Sequence, residues 1–221
     1  MTGYNIVNLA DVLKIRDEVS QLTTEEEKKI AERVVESING FVSAFSCPQN
    51  QDVEMFLRQK AVTFAEQGIA ATYLVFTSYQ DTPVLVGYFT LANKYLSISD
   101  RVIDSKALRR KIDKYAERNE DMKAYHMAIP LIAQLGKIFL EGYNKLITGD
   151  ELLKLACDKI AQIQIMLSGK MTYVECEDKK FLIDFYMSHG FRSIGNRTLT
   201  KAEKKENDPD YLVQLIKYIK R

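Results

Sequence analysis

With 221 residues, 46% apolar and 28% charged, the chain is long enough for a real core and ordinary in its balance. Its 31 Lys and Arg against 30 Asp and Glu leave a formal charge of +1, which excludes a global pull toward nucleic acid or an anionic membrane. No apolar run approaches the ~20 residues of a membrane span, and Asp11 and Lys14 interrupt the N-terminus before a signal-peptide order can form. Cys47, Cys157 and Cys176 are odd in number and widely spaced, which suits reduced thiols in a cytoplasmic protein. Two distant histidines and no Cys-x-x-Cys pair leave no expected metal site.

Residues 1–22 are mixed, with one short strand or helix over Ile6–Ile15. Thr23 and Thr24, followed by Glu26 and Glu27, give a Thr-x-x-Glu helix start. Ile30, Val34, Ile38, Phe41 and Phe45 then recur at helical spacing up to Cys47-Pro48. A turn at Pro48–Asp52 leads to a second helix over Asp52–Gln67, ended by Gly68. Ile69–Ser78 and Val84–Ser97 are rich in β-branched and aromatic residues, and the Tyr79–Pro83 turn between them predicts an antiparallel hairpin.

Ser105–Glu117 reads as a charged helix and Arg118–Met122 as a loop. Tyr125–Leu135 is a strand whose Pro130 removes a ladder donor, so it fits a strand that bulges or loses pairing on one side. An irregular loop over Gly136–Gly149 precedes a helix from Asp150 to Leu167. Strand Met171–Cys176, helix Lys179–Ser188, strand Phe191–Thr200, a polar spacer over Lys201–Pro209 and an amphipathic piece at Tyr211–Ile219 follow. Strands alternating with helices after an antiparallel pair predict an α/β fold of the α+β kind, a mixed central sheet with helices on both faces. Residues 1–50 form an N-terminal helical extension on a domain at 51–221.

The stretch Tyr173-Val-Glu-Cys-Glu-Asp-Lys-Lys-Phe-Leu-Ile-Asp-Phe-Tyr-Met-Ser-His-Gly-Phe191 carries the chemistry. It places the Tyr186 phenol in the last turn of a short helix, with Gly190 beyond as a left-handed cap. A phenol placed there can give a proton to a leaving thiolate. This block resembles the aromatic-Tyr-x-x-x-Gly-Phe segment of the GCN5-related N-acetyltransferase (GNAT) superfamily, whose tyrosine faces the sulfur of acetyl-coenzyme A. The resemblance implies the acyl-CoA N-acyltransferase fold, acetyl-CoA as co-substrate, and transfer of its acetyl group to a primary amine by direct attack.

Three further parts follow from that resemblance. Leu135, Gly136 and Lys137 would line the pantetheine arm through backbone contacts, where the strand splays from its neighbour. The pyrophosphate would rest on free amides at a helix start, which the superfamily writes Arg/Gln-x-x-Gly-x-Gly/Ala. Here the loop is Asn144-Lys-Leu-Ile-Thr-Gly149: Asn144 holds the first position, Lys145 stands beside it, Gly149 is kept, and Ile147 replaces the first glycine. Thr148 adds a hydroxyl donor, Asp150 a like charge that is also an ordinary helix-start residue. Lys179 stands where the superfamily often has asparagine, and a cofactor phosphate is its expected partner.

The attacking amine must lose a proton. Glu175 and Glu177 share a strand face and either could take it; Glu175, deeper in the sheet, is the expected base. Each of these residues also has a plain reading: Tyr186 as a half-buried core residue, Glu175 as part of an acidic strand edge, Cys176 as an inert thiol, and His126 and His189 as structural.

Asp52–Leu57, Thr72–Phe76 and Val86–Thr90 look like a bacterial or phage branch that includes toxin-type acetyltransferases, which modify the amine of aminoacyl-tRNA. Those proteins are shorter, lack a helical extension like Thr23–Phe45, and tend to be basic. Transfer RNA would ask for several Lys and Arg contacts, and Lys106, Arg109, Arg110 and Lys111 are as readily a solvated helix face. The acceptor therefore stays open among a small molecule, a peptide and aminoacyl-tRNA, with a homodimer allowed for and no membrane partner. The rival is a non-catalytic binding module on the same fold, supported by Ile147.

Overall fold

The computed structural model describes residues 3–140, 142–201, 203–204 and 209–219. Most of the spacer expected over Lys201–Pro209, namely 202 and 205–208, lies outside the described residues.

The chain divides into two compact units, Met1–Ala92 with Gln134–Ala156, and Asn93–Ala133 with Cys157–Arg221. In the first unit, the N-terminal segment holds both a strand and a helix, where a single short element was expected. Strand β1 (Asn5–Asn8) runs directly into helix α1 (Leu9–Glu18), and Asn8 caps the helix by accepting from the Ala10 N–H at 3.1 Å. Helix α2 (Glu25–Ala44) starts at a reciprocal Thr24–Glu27 cap, as the Thr-x-x-Glu pattern predicts. Its buried side is Ala31, Ile38 and Val42, while Ile30 is 56% exposed, so the first half of the predicted stripe is one position off the true contact line.

The helix expected over Asp52–Gln67 is not uniform. It forms as α3 (Gln51–Met55), a wide π turn (Phe56–Lys60) and α4 (Ala61–Glu66). An α-helix would give the Val53 carbonyl to the amide four residues on; the Tyr88 hydroxyl donates to it at 2.6 Å just where the winding opens. Strands β2 (Ala71–Tyr79) and β3 (Thr82–Ser99) form the expected hairpin. Its turn is tighter than predicted: Gln80 and Asp81, at φ of 50° and 61°, close it alone, and both left-handed residues match the strand twist. The core of this unit gathers Leu9, Val12, Ile38, Val42 and Phe45 with Phe56, Leu57, Leu74 and Tyr88.

In the second unit, helix α5 (Lys106–Ile112) stops short of the predicted Glu117. Glu117–Asn119 is instead strand β4, paired antiparallel with the start of β5 (Ala124–Lys137), so the expected loop over Arg118–Met122 is partly strand. Short-range charge patterning favoured a longer helix, but the cross-strand pairing of Glu117 with His126 wins. Helix α6 (Gly149–Leu167), strand β6 (Met171–Cys176), helix α7 (Lys180–Ser188), and strands β7 (Arg192–Thr198) and β8 (Tyr211–Tyr218) complete the chain. The terminal amphipathic piece is thus a strand, held against β6 and β7 on either side. Leu96, Ile98, Leu108, Ile112, Tyr125, Met127, Ile129, Met171, Tyr173 and Ile216 share this unit's core.

The eight strands form one mixed sheet in the order β1-β2-β3-β5-β6-β8-β7, with β4 on β5. The parallel pairing of β5 with β6 contrasts with the antiparallel pairing of β6 with β8. Among the described residues no helix is long and apolar enough to cross a membrane.

Candidate functional site

In the second unit, β6 pairs with β8 along all six of its residues, Met171 to Cys176. With β5 it pairs only at Leu131↔Tyr173 and Ile132↔Val174. Just before this short ladder lies Pro130, which has no N–H to offer. Its carbonyl accepts from the Thr172 hydroxyl at 2.8 Å, a side-chain bond where a backbone rung would stand. The expectation that Pro130 marks a disturbed ladder matches this arrangement.

Beyond β6, helix α7 ends in a Schellman motif built by the residues that carried the resemblance. The Phe191 N–H donates to the Tyr186 carbonyl at 3.1 Å, the Gly190 N–H to Met187 at 3.0 Å, and Gly190 takes φ +83°. The Phe191 ring sits 5.5 Å from the Tyr186 ring in an edge contact, and Phe185 makes another at 5.2 Å. His189 donates through Nδ1–H to the Phe185 carbonyl, 2.7 Å away, which ties the helix end further. Tyr186 is thus fixed along its backbone and on two ring edges.

Only 9% of Tyr186 is exposed, and burial pushes its phenol pKa upward, with Cys176 and Cys157 adding to the effect. Among the described residues no hydrogen bond engages its hydroxyl. Among the described residues, the fully enclosed side-chain atoms without a partner are Thr77 Oγ1 and His126 Nδ1, and the Tyr186 hydroxyl is not one of them. A protonated phenol is what this environment maintains. The thiol of Cys176 is also driven up, to about 11, chiefly by burial, so it is no nucleophile at neutral pH.

Glu175 has a different fate from the one expected of a base. Arg197 Nε lies 2.9 and 3.0 Å from its two oxygens, Arg197 Nη2 lies 2.9 Å from Oε2, and Gln214 donates to Oε1 at 2.8 Å. Gln214 is its direct neighbour across β8, and Arg197 reaches in from β7. The same arginine grips Glu203 through Nη1 at 3.0 Å, and a cap at Thr200 with this ion pair lowers the Glu203 pKa to about 2. A carboxylate held by a fork and an amide has its lone pairs occupied, and its geometry is that of a brace across three strands. Lys179, expected near a phosphate, precedes α7 and pairs with Glu177 at 2.6 Å, half exposed.

In the first unit, the predicted phosphate loop is tied down from outside itself. Lys137 Nζ donates to the Asn144 carbonyl at 2.6 Å and the Ile147 carbonyl at 3.0 Å. The Tyr4 hydroxyl donates to the Leu146 carbonyl at 3.0 Å. The Ile147 side chain is 1% exposed, so it anchors the loop inward, which is how the chain accommodates a side chain at the first-glycine position. Thr148 and Glu151 form a reciprocal cap of α6: the Thr148 N–H and hydroxyl each donate to Glu151 Oε2 at 2.8 Å, and the Glu151 N–H returns to Thr148 Oγ1 at 3.1 Å. Asn144, Lys145, Thr148 and Asp150 are exposed and Gly149 half-buried.

Gly136 sits where no side chain fits. A Cβ there would lie 2.3 Å from Val53 Cγ1 and 2.9 Å from Tyr88 Cε1. Opposite it, a Cβ on Gly87 would lie 2.9 Å from the Gly136 oxygen. Its α-carbon face is closed, and Leu135 and Lys137 beside it are half-buried. Sequence reading missed Tyr4, Glu151 and Arg197. The Thr148-x-x-Glu151 cap was legible as the same pattern seen at Thr24; the reach of Tyr4 and Arg197 from distant segments was not.

Neither a family model nor a curated protein sequence matches the chain. Solved structures do. A crystal structure described as a bacterial toxin is 14% identical at a TM-score of 0.57, with 99% of this chain and 92% of that one covered. AtaT complexed with acetyl-methionyl-tRNAfMet is 16% identical at 0.51, covering 78% and 85%. A tyrosine-to-phenylalanine variant of KacT is 14% identical at 0.50, covering 79% and 86%. The chain shares the fold of these structures, the acyl-CoA N-acyltransferase fold that the Tyr186 block implies.

Proposed function

We propose that the chain is an N-acetyltransferase that moves the acetyl group of acetyl-CoA to an amine, and that the amine is that of an aminoacyl-tRNA. The observation that carries the first half is the two-rung pairing of β5 with β6. A strand released from its parallel neighbour in this fold has peptide groups to offer, and the amides of a pantetheine arm need such partners. The second half is supported by the likeness to AtaT, whose structure holds an acetylated aminoacyl-tRNA.

Acetyl-CoA supplies a thioester already activated toward amines. The chain's part is to hold it and manage one proton. The loop at 144–149 takes the pyrophosphate on its amides, with Asn144, Lys145, Thr148, Gly149 and Asp150 at its rim. Leu135, Gly136 and Lys137 offer backbone to the arm. As the amine nitrogen bonds to the carbonyl carbon and the C–S bond breaks, the electron pair goes to sulfur and the Tyr186 O–H gives its proton there. The nitrogen sheds its proton to water, and the phenolate recovers one from solvent. Glu175 braces the strand that leads to Tyr186 in this scheme, because its oxygens are engaged by Arg197 and Gln214.

The test is incubation of the purified chain with acetyl-CoA and a pool of aminoacyl-tRNA, alongside peptide and polyamine amines, read by mass spectrometry of the RNase-released products. N-acetyl-aminoacyl-adenosine is expected. Acetylation of peptide or polyamine alone would overturn the acceptor, and acetylation of nothing would overturn the activity.

A further inference from the structure

We infer that Tyr4 and Lys137 are positioning residues of the phosphate loop, which makes the segment before β1 part of the cofactor site. The inference rests on the acetyl-CoA reading above and concerns what presets the loop before the cofactor arrives.

A peptide group is planar, so fixing a carbonyl aims the following N–H the opposite way. Three carbonyls of one short loop are fixed by donors from elsewhere: Asn144 and Ile147 by Lys137, Leu146 by Tyr4. The amides aimed away from these donors belong to Lys145, Ile147 and Thr148. The Thr148 amide already holds an anion, since the Glu151 carboxylate accepts from it at 2.8 Å. For Lys145 and Ile147, no backbone partner engages the N–H among the described residues. The amides of Lys145 and Ile147 thus point away from the donors that fix the carbonyls before them, the polarity an anion requires. An unrestrained loop of this length would have to pay ordering entropy on binding.

Tyr4 contributes more than a bond to Leu146. Burial, and after it the neighbouring Glu151 carboxylate, raise the phenol to about 12, so Tyr4 stays a donor at every physiological pH. Lys137 is placed by packing: its ammonium lies 5.3 Å over the Phe139 ring. Lys137 ends β5 and Tyr4 stands one residue before β1, so both hold the loop without belonging to it.

Calorimetric titration separates this role from a general structural one. Wild type, Tyr4→Phe and Lys137→Met are each titrated with acetyl-CoA and with S-acetyl-pantetheine, which carries the thioester arm but no pyrophosphate. Loss of one such hydrogen bond predicts about a five- to tenfold weaker acetyl-CoA affinity in Tyr4→Phe, and a larger loss in Lys137→Met. In Tyr4→Phe, which lies outside the arm's binding residues, S-acetyl-pantetheine affinity stays at the wild-type value. Unchanged acetyl-CoA affinity in both variants, or an equal loss on both ligands, overturns the inference. If wild type binds neither ligand, the acetyl-CoA reading itself has failed; if wild type binds acetyl-CoA and the variants match it, only the clamp has.

Discussion

The Phe191 amide donates to the Tyr186 carbonyl across the end of α7, and the Phe191 ring packs edge-on at 5.5 Å against the Tyr186 ring. One turn of chain thus fixes the tyrosine's main chain and one face of its side chain together. It also gives the aromatic-Tyr-x-x-x-Gly-Phe spacing a physical cause. In a Schellman end the bonded residues are five apart, the intervening residue must be left-handed, and an apolar pair closes the motif. The hydroxyl is the one part of Tyr186 that this motif leaves unengaged.

Tyr186→Phe keeps the packing and removes only the proton. Turnover should fall about 10²- to 10⁴-fold, the range for loss of a general acid, while the Kd for acetyl-CoA stays within about twofold. Because burial raises the phenol pKa, the wild-type rate should not decline as pH climbs through about 9, where an ordinary tyrosine begins to ionise. Turnover by the phenylalanine variant at the wild-type rate would remove Tyr186 from the chemistry.

Glu175 and Arg197 make a separate case. The side chain of Glu175 is 12% exposed and that of Arg197 33%, so their pairing is partly shielded from water. Glu175→Gln leaves the guanidinium facing a neutral amide and should cost about 2 kcal/mol of stability, below the range for a fully buried pair. Arg197→Gln should cost at least as much, and the double variant less than the sum, which a thermal double-mutant cycle would read. For a brace, kcat in Glu175→Gln falls less than about tenfold. A drop of several hundredfold with stability intact would restore the carboxylate as a base.

Glu203 gives the acid limb of stability. Its folded pKa of about 2 lies below the ordinary carboxylate value of 4.5, lowered first by the Thr200 backbone cap and then by Arg197. A depressed carboxylate stabilises the fold above its unfolded pKa, and that contribution drains away as pH falls from about 4.5 toward about 2. The Tm of wild type should therefore exceed that of Glu203→Gln at neutral pH, and the gap should close as pH falls to about 2. A gap that persists at pH 2 would place the stabilisation elsewhere.

Local signals made much of this legible. The Thr24–Glu27 cap, the Gln80–Asp81 hairpin and the Gly190 end all depend on residues within a few positions of one another, so sequence spacing records them. Pro130 announced a weakened ladder because it lacks a donor whatever surrounds it. What stayed hidden was decided at a distance. Tyr4 meets Leu146 from 142 residues away, and Arg197 reaches Glu175 from 22. The same is true of the bond from Tyr88 in the hairpin to Val53 in α3, and of β4, whose three residues gain their structure from β5.

Gly136 is the sharpest of these long-range constraints. Its neighbours Val53 and Tyr88 come from α3 and β3, and the Tyr88 hydroxyl also donates to the Val53 carbonyl. A methyl at Gly136 would have to push Val53 Cγ1 back from 2.3 Å, and the fully buried Tyr88 ring leaves little room to yield. Gly136→Ala should lose about 1–3 kcal/mol, the usual cost of overpacking, which for a chain of this size is roughly 2–4 °C of Tm per kcal/mol. Val53→Ala removes the atom in the way at the cost of a small cavity. The double variant Val53→Ala/Gly136→Ala should therefore be more stable than the sum of the two single losses predicts. Simple additivity in that cycle would mean that the β5 backbone shifts to admit the methyl, and the close approach at Gly136 would then be no constraint on the strand.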